Sequence, residues 1–112
     1  MKNWLIMSLI LVGIVLISGC VGQEQPSLSD EDRAKSLCID ECNRRLNIGE
    51  DLSNGPCLLN PLTDLPSWVC DVAHKPRQPV DDRPENQCSA YREGRATHFV
   101  EVDPTCKFIK AI

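Results

Sequence analysis

The sequence predicts a small α+β domain, stapled by disulfides, with one main helix packed on a small antiparallel sheet that ends in a C-terminal hairpin. Three observations predict it. Residues 30–47 carry an apolar stripe at helical spacing. Residues 68–74 and 97–102 alternate and are rich in β-branched and aromatic side chains. Cysteines are spread through a body poor in aromatic residues, where a small core needs staples.

The elements follow in order. Ser29 precedes Asp30, Glu31 and Asp32, so a capping hydroxyl stands before acids that suit the helix dipole. Ala34, Leu37, Cys38, Cys42, Arg45 and Leu46 then fall on one stripe, and Gly49 is the expected stop. Residues 51–65 are turn-rich, with Asn54-Gly55-Pro56 and Asn60-Pro61, and Cys57 is expected to pin this loop. In the strand expected at 68–74, Trp68, Cys70, Val72 and His74 share a face. Residues 75–86 contain Pro76, Pro79 and Pro84 and read as an irregular loop. A short helix is expected over 87–92, with Cys88 and Tyr91 turned inward and Gly94 ending it. The clearest strand, 97–102, leads through Asp103-Pro104-Thr105 into a partner strand at 106–110.

The N-terminus indicates the compartment. Lys2 precedes an uncharged run from Trp4 to Gly22, the layout of a secretory signal. Near its end stands Ile17-Ser18-Gly19-Cys20, which resembles the lipobox of bacterial and archaeal lipoproteins. That resemblance implies cleavage before Cys20 and a diacylglyceryl group on its thiol, and two acyl chains suffice for a stable anchor. Residues 1–19 are then a signal peptide, 20–29 a lipidated cysteine with a flexible tether, and 30–112 the extracytoplasmic domain. The run is also long enough to be an uncleaved membrane helix, but the small residues before Cys20 favour lipidation. Both routes attach the protein to a membrane with its body outside, in the cell envelope.

With Cys20 lipidated, the chain's 7 cysteines leave Cys38, Cys42, Cys57, Cys70, Cys88 and Cys106 for a disulfide framework. Cys38 and Cys42 sit one turn apart on one helix, so each is expected to reach a different partner; the pairing beyond that is open. A zinc site would need closer ligand pairs than this spacing offers, and no C-x-x-C is present.

With 12 Lys and Arg against 16 Asp and Glu, the chain lacks the basic stripe of a nucleic-acid binder. No phosphate loop, nucleophile elbow or H-E-x-x-H is present, and no cofactor is implied. The residues able to carry chemistry are few. His74, His98 and Asp71 are the catalytic candidates; His74, His98, Asp81 and Asp82 are the metal-ligating ones, since two histidines and nearby carboxylates suit a metal or an acid–base pair. His98 shares its strand face with Val100 and Val102, where a lone histidine is ordinarily structural, and Glu101 falls on the opposite face. Asp81 and Asp82 lie in a loop whose oxygens suit calcium but lack the EF-hand spacing.

The segments NGPCL, WVCDVAH, ENQC and HFVEVD are faintly similar to small cysteine-rich exported proteins of archaea, and that likeness carries no activity. The expected role is a membrane-tethered binding or interaction module with a possible protein partner. The alternatives are a small metal-binding or hydrolytic domain around His74 and His98, and a structural envelope lipoprotein.

Overall fold

The computed structural model describes residues 28–112. The signal peptide and the lipobox with Cys20 lie outside the described residues, as does most of the tether. Helix α1 spans Asp30–Asn47, and the Ser29 side chain accepts from the Asp32 backbone N–H at 3.1 Å. Its buried stripe is Ala34, Cys38 and Cys42. Leu37, expected on that stripe, is 39% exposed. Gly49 follows the helix at φ +85°, a conformation that costs glycine little.

Four strands form one sheet in the order β1 (Cys57–Leu59), β2 (Trp68–Val72), β3 (His98–Val102) and β4 (Phe108–Ala111). The α+β class stands, and β3 and β4 make the C-terminal hairpin. The sheet is mixed rather than antiparallel, because β2 and β3 run parallel in register from Trp68↔His98 to Val72↔Val102. The physical reason is the connection. Residues 73–97 are long enough to cross back to the starting end of the sheet, which a parallel pair requires. Within it residues 75–86, expected to be irregular, hold 3₁₀ turns at Pro79–Asp82 and Pro84–Asn86, and the short helix expected over 87–92 forms as α2 (Ser89–Arg92). The region read as turns also contains β1, too short to show a period in sequence.

The sheet has two different faces. Toward α1 it presents Trp68, Cys70, Val72, Val100 and Val102, which pack with Ala34, Leu52 and Leu62 into the main core. Cys38–Cys70 and Cys42–Cys106 bolt α1 to this face, so the two helix cysteines do reach different partners. On the outer face Val69 and Phe99 pack with Ala90 and Ala96, and Cys57–Cys88 ties β1 to the start of α2.

Candidate functional site

The outer face carries the site. Across the sheet, register aligns Cys57 with Asp71, Asp71 with Glu101, and Glu101 with Lys110, so these four side chains form one row. Parallel neighbours lie about 4.8 Å apart along the hydrogen-bonding direction, which sets two carboxyl groups side by side. Above them opens a cavity of about 310 Å³. Asp71 and Glu101 line its sheet side with Val69 and Phe99; Tyr91 and Arg92 line it from α2, and Arg77 from the crossover.

Each wall has a local cause. Asn60 holds α2 in place: its Oδ1 accepts from the Ala90 N–H at 2.8 Å and its Nδ2 donates to Ser89 Oγ at 2.8 Å. Tyr91, expected on the inner side of this helix, instead stays 42% exposed, with its ring edge-on to Phe99 at 5.1 Å between centroids. A single turn of helix cannot bury Ala90 and Tyr91 together, and the small residue takes the inside. Arg77 spans the crossover, with Nε donating to Asp82 at 2.7 Å, Nη2 to the Asp81 carbonyl at 3.2 Å and Nη1 to Glu101 at 3.4 Å.

Asp71 is the least satisfied group. Its Oδ1 is buried and meets no hydrogen-bond donor among the described residues. Burial foremost, then the neighbouring Glu101 charge, pushes its pKa up to about 8; Arg77 and the Val72 backbone N–H oppose the shift, while Asp81 adds to it. At neutral pH this carboxyl holds its proton beside an ionisable partner, as paired carboxyls do.

His74 and Asp81 meet, as their closeness in sequence allows. Asp81, 2% exposed, accepts from the backbone N–H groups of His74 and Gln78, each at 2.9 Å. His74 Nδ1 lies 2.9 Å from Asp81 Oδ1. Burial works to raise the Asp81 carboxyl, but those backbone donors and the His74 ring outweigh it, so it titrates below the ordinary carboxylate range. An ionised Asp81 only accepts, so Nδ1 carries the proton and Nε2 is left as the basic nitrogen. Gly55 makes room for this arrangement: a Cβ there would stand 2.5 Å from Asp81 Oδ1, and its φ is +68°.

The other candidates do not join them. His74 lies just past β2 and turns to Asp81 instead of continuing the strand face. Asp82 pairs with Arg77. His98 is paired with Trp68, the other end of the parallel strands from His74, roughly 20 Å along at strand spacing. It is exposed rather than set among valines, stacked on Trp68 at 4.5 Å, with Nδ1 3.1 Å from the Ile112 carbonyl oxygen. Strand register puts it at the first residue of β3, at the edge of its face, with the Trp68 ring on one side. A convergence of both histidines with these carboxylates is therefore not what the chain folds into. Among the described residues no group of three or more His, Cys, Asp or Glu is arranged to hold a metal ion.

Sequence reading missed Glu101 as the partner of Asp71, and Arg77 as the link between crossover and sheet. A signal was available: in WVCDV and HFVEV an acid interrupts an apolar strand at the same fourth position. Only a parallel, in-register pairing makes those two positions neighbours.

Fold and site together define a small α+β domain framed by three disulfides, with a carboxyl-floored cavity on the sheet face opposite its helix. Comparison with family models, curated proteins and solved structures finds no match to this chain. The disulfides mark an oxidising, extracytoplasmic setting. Among the described residues no helix is long and apolar enough to cross a membrane.

Proposed function

We propose that this protein is a binding module held at the outer face of a membrane, with the sheet-face cavity as its recognition site. The anchor is the lipid on Cys20, or an uncleaved N-terminal helix, and the tether up to residue 29 gives the domain reach. One observation carries the binding role: a cavity with an apolar and aromatic side, a few convergent charged groups and a perturbed carboxyl, set on a rigid disulfide frame. The test is chemical-shift mapping of the full chain in detergent against a small-molecule library, beside hydrolase assays. Ligands that shift Tyr91 and Phe99, with no turnover, support the module; turnover with no cavity ligand ends it. For the anchor, intact mass of membrane-extracted protein should read as residues 20–112 plus lipid.

A second reading has its own observation. The Asp81-oriented His74 is the base-and-orienter half of a hydrolytic site. It requires His74→Ala to abolish a turnover that the wild type displays.

A further inference from the structure

The cavity is lined by charged groups of both signs. The sheet side offers carboxyls: Asp71 on β2 and Glu101 on β3. Arg92 stands on α2, and among the described residues its guanidinium pairs with no carboxylate. Arg77 is already engaged with Asp82 and Glu101. Val69, Phe99 and the Tyr91 ring add apolar and aromatic surface to the same lining. A cation alone would leave Arg92 without a carboxylate, and an anion alone would leave the buried Asp71 Oδ1 without a donor. We propose that the cavity binds a free α-amino acid with an apolar side chain, its ammonium on Asp71 and Glu101, its carboxylate on Arg92, and its side chain against Phe99 and Val69. The inference rests on the cavity being the recognition site.

Several facts support the assignment. The volume of about 310 Å³ is at the small end of ligand pockets, fitting a metabolite of amino-acid size. Ammonium groups are favoured beside aromatic faces and carboxylates. Asp71 is also a poor choice for stability alone, since a buried oxygen without a donor costs the fold free energy. Groups of that kind persist where function needs them.

Binding carries a proton signature. Asp71 faces Glu101 from β3, Arg77 and Asp81 from the crossover, and Tyr91 and Arg92 across the cavity; Lys110 on β4 flanks Glu101. An arriving ammonium favours the ionised form of Asp71. The carboxyl proton therefore leaves to solvent as the ammonium–carboxylate pair forms, and affinity rises as pH increases toward about 8.

The experiment is calorimetric titration of the full oxidised chain in detergent with L-leucine and L-phenylalanine at pH 6.5, in buffers of different ionisation enthalpy. Isopentylamine and 4-methylpentanoate serve as the analogues of leucine with one charge each. The expected result is that an amino acid binds at least about tenfold more tightly than either analogue and releases close to one proton. Asp71→Asn should weaken it about 10- to 100-fold and abolish the proton release. Arg92→Gln should erase the preference for leucine over isopentylamine. An analogue that binds as tightly as leucine, or leucine binding without proton release, overturns the amino-acid assignment. If instead a singly charged or neutral library compound shifts Tyr91 and Phe99, the cavity remains the recognition site and only the ligand class falls. If no compound shifts them, both readings fall.

Discussion

The two faces of one four-stranded sheet have been put to opposite uses. Toward α1 the strands present valines, Trp68 and Cys70, and two disulfides fasten the helix over them. On the far side the same strands present Asp71 and Glu101 in a row under an open cavity, with one disulfide and a single helical turn for cover. The period of two along a strand lets them coexist: Cys70 and Val100 point into the dry interior, while Asp71 and Glu101, one residue on, point out of it. A domain of this size gains little from its core, so concentrating covalent links on one face leaves the other free to hold poorly satisfied charge.

Breaking the comparison on its helix face should have the largest effect. Replacing Cys42 and Cys106 together with alanine opens a link between residues 64 apart, and chain-entropy reasoning gives a loss of about 4 kcal/mol. Chemical denaturation of the oxidised variant should show it, with loss of α1 helicity preceding any change at Tyr91.

Next comes the seam between the strand ends and the crossover. Gly55→Ala would drive a methyl into Asp81 Oδ1 and to 3.0 Å from the Val72 carbonyl oxygen, at a φ that L-residues resist. We expect a loss of about 2–3 kcal/mol, with the His74 ring resonances displaced because its carboxylate partner must move.

The third change acts on the outer face and has the opposite sign. Asp71 has a folded pKa raised above its unfolded value, so the stability it contributes is complete below about pH 4 and is lost as pH rises to about 8. Asp71→Asn should flatten that decline and make the protein more stable by roughly 2 kcal/mol at pH 9, seen as a higher Tm. Placing asparagine on the helix face, as Val100→Asn, should instead be strongly destabilising. The contrast sharpens the claim that only the outer face tolerates polar exchange.

The smallest effect belongs to the half-buried Glu41 of α1 and its two arginines. The hydrogen bond from Arg44 outweighs the opposing effect of burial and, with the Arg45 hydrogen bond and both guanidinium charges, holds the Glu41 pKa down at about 2. Glu41→Gln should cost under about 1 kcal/mol at neutral pH. A depressed carboxylate contributes above its unfolded value and ceases to as pH falls toward the folded one. Wild type and variant should therefore converge between about pH 4 and 2 in acid titrations of stability.

How much was legible beforehand depends on the range of the interaction. The Ser29 cap, the α1 stripe, the hairpin at Asp103-Pro104-Thr105 and the inference that Cys38 and Cys42 serve different partners all come from residues within a few positions of one another. Strand β1 was too short to read. Asp71 and Asp81 both stand near His74 in the sequence, yet nothing local says that Asp81 takes the histidine while Asp71 turns to Glu101. The sequence pattern puts His98 on its strand but not in its environment, since its exposure depends on what covers the strand's first residue.

By itself the sequence determined α1, α2 and the strands β2, β3 and β4, and that the body must rely on its sulfurs, because periodicity, capping and composition act over a few residues or over the whole chain at once. The disulfide pairing, the parallel middle of the sheet and the meeting of Asp71 with Glu101 were decided only in three dimensions. The reason lies in the crossover of residues 73–97: the direction in which it returns the chain sets which strand positions become neighbours, and neither end of it can encode that alone.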